Sequence, residues 1–132
     1  MSEIQLIELS VNGERHDLAI EPRRTLVDGA PVRACLVFAA QVEDADIRTV
    51  ESLAEPDGTL SDLQQEFSAH HGLQCGFCTP GFLMLAEGYL AERPDATKEE
   101  IREVVASNLC RCTGYQTIVE AVDACAARRR SA

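Results

Sequence analysis

The sequence has no tryptophan, and only 5% of its 132 residues are aromatic. It contains no apolar run long enough to cross a bilayer and no basic-then-apolar leader at Met1-Ser2-Glu3. A soluble, cytoplasmic chain without a membrane span is the expectation. Basic residues are few, 12 Lys and Arg against 22 Asp and Glu, for a net charge of -10. A phosphate backbone needs a basic face, so nucleic acid is not an expected partner. The one basic cluster, Arg128-Arg129-Arg130, reads as a solvated tail that complements the negative end of a last helix. No Ser/His/Asp set, glycine-rich phosphate loop, paired-carboxylate signature, internal repeat or low-complexity segment stands out. The chain is therefore not expected to carry out bond chemistry on a substrate.

What the sequence does have is cysteine, six in all. In a chain without a leader, that number argues for metal or redox use over a disulfide scaffold. Four of the six fall in two tight pairs, Cys75-Gly-Phe-Cys78 and Cys110-Arg-Cys112. Cys125 lies in line with Ile118 and Val122 on one helical face and reads as a small buried hydrophobe. Cys35 has no such explanation.

Periodicity divides the chain near Glu55-Pro56-Asp57-Gly58, giving a β-rich part over 1–55 and a four-helix part over 56–132. Ile7, Leu9 and Val11 alternate with polar residues as in a half-buried strand. Asn12-Gly13 is a hairpin turn signal, followed by a return strand through His16, Leu18 and Ile20. Val32 to Ala40 and Ile47 to Val50 read as further strands. Thr59 with Asp62 resembles a helix cap, opening a helix to about His71-Gly72. A second helix should start at Pro80 and stop before Pro94. The capping box Thr97-Lys-Glu-Glu100 opens a third, and a fourth runs from near Tyr115 into the arginines.

Both cysteine pairs sit just before an expected helix start, where free N–H groups and partial positive charge favour an anionic group. Four thiolates make a tetrathiolate metal or iron–sulfur site. A [2Fe–2S] cluster is the favoured occupant, with amides aimed at its sulfurs, Gly76 and Gly114 letting the backbone approach, and Phe77 excluding water. Structural zinc is the lesser alternative, because zinc knuckles pair C-x₂-C with C-x₂₋₄-C and not with C-x-C. Two disulfides are less favoured still, because a C-x-C pair is strained for direct bridging. His70-His71 reads as a polar helix end.

The stretches Gln74-Cys-Gly-Phe-Cys-Thr-Pro-Gly81 and Asn108-Leu-Cys-Arg-Cys-Thr-Gly-Tyr115 resemble the small iron–sulfur subunit of the molybdenum hydroxylases, the family of xanthine dehydrogenase, aldehyde oxidoreductase and carbon monoxide dehydrogenase. The resemblance implies an α+β chain, with an N-terminal plant-ferredoxin-like β-grasp domain followed by a four-helix [2Fe–2S]-binding domain. It implies that Cys75, Cys78, Cys110 and Cys112 ligate the cluster nearest the molybdopterin of a large subunit, and that Gln74 and Cys112 lie against the pterin. Electrons would pass from the molybdenum centre to this cluster, then to a second cluster in the β-domain and on to FAD in a medium subunit. Such subunits form heterotrimer units that dimerise. A structural or assembly module with a non-redox Cys₄ site is the alternative from another class, and a free-standing ferredoxin a third.

One departure is conspicuous. The family carries C-x₄-C-G-x-C between a Thr-Leu-Val-Asp helix and the strand that ends in the fourth ligand. Here Thr25-Leu-Val-Asp28 runs directly into Gly29-Ala-Pro-Val-Arg-Ala-Cys35. Cys35 matches the fourth ligand alone, and can serve only if a missing loop supplies the other three. A polypeptide with such a loop is the expectation, because a β-grasp domain stripped of it should expose core.

Overall fold

A computed structural model of the chain describes residues 9–16 and 24–132. The first half is a mixed five-stranded sheet made of β1 (Leu9–Val11), β2 (Glu14–His16), β3 (Arg24–Val27), β4 (Ala30–Arg33) and β5 (Asp46–Arg48). The order is β2-β1-β5-β3-β4, with β1 and β5 parallel and the remaining pairs antiparallel. This is the expected β-grasp arrangement, built from short strands. Leu18 and Ile20 lie outside the described residues.

Two hairpins set the registers. Val11 pairs with Glu14, so Asn12 and Gly13 form a two-residue loop with φ of 53° and 81°. Val27 pairs with Ala30, and Asp28 and Gly29 repeat the pattern with φ of 50° and 83°. Positive φ at both central positions defines the type I′ turn, whose twist matches that of the flanking strands. Asn12 also anchors β5. Its side chain exchanges two 2.9 Å hydrogen bonds with Thr49, donating to Oγ1 and accepting from the backbone N–H. The Thr25 hydroxyl, buried, donates to the Arg48 carbonyl and ties β3 to the same strand.

Several expectations need correction here. Thr25-Leu-Val forms strand β3, not a helix, because its ladder with β4 and β5 satisfies the backbone. The apolar run after Val32 does not continue as a strand. β4 ends at Arg33, and Ala34–Leu36 and Ala39–Val42 are 3-10 turns that leave Cys35, Leu36 and Phe38 exposed. The last strand stops at Arg48, since Val50–Ser52 is another 3-10 turn.

The second half contains α1 (Asp62–Ala69), α2 (Thr79–Glu92), α3 (Lys98–Ala106) and α4 (Gln116–Ser131). The cap of α1 is Ser61 and not Thr59, with Gln64 completing a capping box. Thr59 is instead held in the preceding turn by Asp57. The Thr97–Glu100 box opens α3 as expected. α2 is the central rod, with Phe82, Leu83, Met84, Leu85, Ala86, Gly88 and Leu90 all buried. Cys125 is fully buried on α4.

The arginines are not a loose tail. They form the last turn of α4, where Arg129 makes a two-pronged contact with Asp62 of α1 at 2.6 and 2.7 Å and reaches Glu87 of α2 at 2.8 Å. Such paired, planar geometry is the strong form of an ion pair. Asp62 is held down to about 2, chiefly by the hydrogen bond from Arg129.

Sheet and helices share core. Leu26 of β3 and Leu53 pack with the buried residues of all four helices, while Val11, Val42, Ala45 and Ile47 form a smaller cluster on the sheet. The sheet approaches α2 at Gly88. A Cβ there would stand 2.8 Å from Leu26 Cδ2 and from Pro31 Cδ, and 3.1 Å from the Gly29 carbonyl oxygen.

Candidate cysteine centre at two helix starts

The four cysteines of the quartet lie on two loops, α1–α2 and α3–α4. Three local features bring the loops together. Gly81, in the first turn of α2, lets the Asn108 side chain come in, since a Cβ there would meet Asn108 Nδ2 at 3.0 Å. Tyr115 precedes α4 in the left-handed conformation, φ 71°, and its phenol oxygen accepts a 3.1 Å hydrogen bond from the Cys110 N–H. Its ring also packs edge-on against Phe82 of α2, with centroids 6.4 Å apart.

The thiols meet as two pairs. Cys75 and Cys112 Sγ are 3.5 Å apart, and the Cys78 thiol donates to Cys110. Two sulfurs on one tetrahedral metal with bonds of about 2.3 Å stand about 3.8 Å apart. The spacing of the first pair thus suits two thiolates on one iron. Among the described residues no three His, Cys, Asp or Glu groups converge tightly enough for a single ion. Two separate pairs fit a binuclear cluster better than one zinc ion.

Polar groups aim at these sulfurs. Cys110 Sγ lies 3.4 Å from the Thr113 N–H and 3.2 Å from Thr113 Oγ1. Burial raises its pKa, but hydrogen bonds from Thr113, the Cys112 N–H and Cys78 outweigh it and leave the thiol at about 7. Burial, then donation to Cys110, pushes Cys78 up to about 11. The Phe77 N–H donates to Cys75 and lowers it, while Cys112 is raised, first by its hydrogen bond to Cys75. Two hydroxyls in the first turns of α2 and α4, Thr79 Oγ1 and Thr117 Oγ1, are buried without a partner. Thr79 adjoins Cys78, and inorganic sulfide beside it would provide the acceptor that the protein does not. These observations fit a [2Fe–2S] cluster.

Cys78 directly caps α2, but Cys112 is separated from α4 by Thr113, Gly114 and Tyr115. Gly76 and Gly114 have φ of 80° and 70°, and a Cβ on either would meet nothing within 4 Å. The positive φ by itself calls for glycine at both positions. Phe77 is 74% exposed and Leu109 65% exposed. Leu73 and Gln74, next to Cys75 in sequence, are exposed as well. Cys35 lies on the 3-10 turn after β4, apart from the quartet in sequence and exposed. His70 forms an i,i+4 contact with Glu66, as a polar helix end would.

The profile of the [2Fe-2S] binding domain family matches residues 49–123, which contain the whole quartet. The chain is 47% identical to the nicotine 6-hydroxylase small subunit of Paenarthrobacter nicotinovorans, over 88% of this chain and 86% of that protein. It is 48% identical to the xanthine dehydrogenase iron-sulfur-binding subunit of Escherichia coli O157:H7, over 76% of this chain and 64% of that subunit. A crystal structure of quinoline 2-oxidoreductase from Pseudomonas putida 86 superposes with a TM-score of 0.85, covering 98% of both chains at 38% identity. The nicotine 6-hydroxylase alignment has 144 positions but holds only 88% of these 132 residues, about 116, so about 28 positions of that relative face no residue here. Fold, paired thiols and relatives agree that the chain belongs to the [2Fe-2S]-binding domain family and is a small electron-transfer iron–sulfur subunit of the molybdenum hydroxylases.

Proposed function

We propose that Cys75, Cys78, Cys110 and Cys112 ligate one [2Fe–2S] cluster, through which electrons leave a molybdopterin centre on a large partner subunit. The pairing of Cys75 with Cys112 at 3.5 Å, beside the Cys78–Cys110 pair, carries this reading. When bound, the cluster supplies a one-electron redox centre. The chain's own groups prepare the place for it. Thr113 and the Phe77 N–H donate to thiolate sulfurs, and Cys78 sits at the positive end of α2.

The exposed rim of Leu73, Gln74, Phe77 and Leu109 is the proposed docking face for the large subunit, with Gln74 and Cys112 toward the pterin. An exposed apolar patch of this kind marks a protein contact more often than bare surface. A medium subunit with FAD, heterotrimer units that dimerise, and a cytoplasmic location complete the proposal. No helix among the described residues is long and apolar enough to cross a membrane. We also place the division between the sheet part and the helical part at residues 55 and 56, although Leu26 and Leu53 join the two in one core.

Cys110→Ser tests the ligand set. The variant should lose iron, labile sulfide and the visible absorption that dithionite bleaches, and should stop turnover of the assembled enzyme. An unchanged spectrum with unchanged turnover removes Cys110 from the set, and a colourless parent protein containing zinc overturns the reading as a whole.

A further inference from the structure

We infer that this chain carries a single iron–sulfur cluster, and that its sheet is a scaffold without a redox centre of its own. The inference rests on the quartet reading above and concerns the second cluster that the family resemblance implies.

Among the described residues that second cluster has no place. At the point where its loop would enter, the β3–β4 hairpin is closed by Asp28 and Gly29 alone, both at positive φ in a type I′ turn. The turn is fastened at each side. The Asp28 N–H donates to the Asp46 carbonyl at 2.9 Å, and the Asp46 N–H donates to Asp28 Oδ1 at 2.9 Å. From behind, α2 presses on the hairpin, with a Cβ on Gly88 standing 3.1 Å from the Gly29 carbonyl oxygen. Leu26 beneath the hairpin stays buried at 2% exposure, although Leu36 and Phe38 beyond β4 are 74% and 77% exposed.

The ligands do not fit either. A [2Fe–2S] cluster takes four. Cys35 is followed by Leu36, Val37, Phe38, Ala39 and Ala40 and preceded by Ala34, none with a ligating side chain. The other five cysteines all lie at position 75 or beyond. About 28 positions of the nicotine 6-hydroxylase subunit face no residue of this chain, a number large enough for a loop that carries three ligands.

The experiment is iron and labile sulfide per chain on the purified complex, with peptide mapping confirming that Asp28 is joined directly to Gly29. Two irons and one electron paramagnetic resonance signal of a reduced [2Fe–2S] cluster are expected. Cys35→Ser should keep both irons and the signal unchanged, whereas Cys110→Ser should abolish them. Four irons, two distinct signals, a peptide inserted between Asp28 and Gly29, or iron lost from Cys35→Ser would overturn the single-cluster inference and leave the quartet intact. A chain with no iron would overturn the quartet reading and this inference with it.

Discussion

The phenol oxygen of Tyr115 accepts a hydrogen bond from the backbone nitrogen of Cys110 across 3.1 Å. The residue that turns the chain into α4 thus also fixes the loop carrying two of the four thiols. Tyr115→Phe keeps the edge contact with Phe82 and deletes only the acceptor. A half-buried N–H left unpaired costs about 1–3 kcal/mol. We expect the variant to fold, to melt a few degrees lower, and to lose its visible absorption several times faster under a chelator. Unchanged release of iron would show that the bond does not hold the loop.

Thr113→Val removes the hydroxyl 3.2 Å from Cys110 Sγ while leaving the backbone N–H in place. Hydrogen bonds to sulfur favour the more negative, reduced state of a cluster. One such bond, worth about 1 kcal/mol, corresponds to about 40 mV for a one-electron couple. A redox titration should find the potential lowered by about that much. A potential that stays or rises would contradict the role assigned to Thr113.

Much of this centre was legible in the sequence, and the reasons are local. Thr97 and Glu100 cap α3 through side chains three residues apart, and Asn12-Gly13 makes a turn from its own φ preferences. The cysteine spacing and its flanks announced the chemistry. The roles of Tyr115 and of Gly81 were not legible, because each depends on a partner across space, Cys110 and Asn108 respectively. Asp28-Gly29 carried a hairpin signal as plain as that of Asn12-Gly13. The family resemblance competes with that signal, because it assigns Thr25-Leu-Val-Asp28 to a helix. The arginines were misjudged for the opposite reason, since composition cannot reveal that Asp62 and Glu87 wait opposite Arg129.

Gly88→Ala tests the seam between α2 and the sheet. The added methyl would stand 2.8 Å from Leu26 and Pro31 and meet a backbone oxygen at 3.1 Å, so both elements must shift. Overpacking of this kind costs about 1–3 kcal/mol, more than the ~1 kcal/mol that alanine gains over glycine in a helix. Denaturant unfolding should report a net loss of stability. A stabilised variant would show that the helix can move off the hairpin at little cost.

Asp62→Asn tests the closure of the helical bundle, and its effect should depend on pH. The carboxyl titrates near 2 in the folded chain, below its ordinary 3.8, so its stabilising effect is present above pH 4 and fades as pH falls from about 4 to 2. Allowing for partial exposure, the loss at neutral pH should be about 1–2 kcal/mol. The difference between parent and variant should narrow over that acid range. A difference that persists at pH 2 would assign the effect to packing and not to charge.

Helix α2 begins at Cys78 and meets the sheet ten residues later at Gly88. At a rise of 1.5 Å per residue, that separation is about 15 Å. The helix therefore acts as a ruler with the thiols at one end and the β3–β4 hairpin at the other. Any group that docks on the sheet edge is held at a set distance from the thiols by a member that cannot shorten without breaking its own hydrogen bonds. Spacing, more than shape, is what the sheet contributes to the centre.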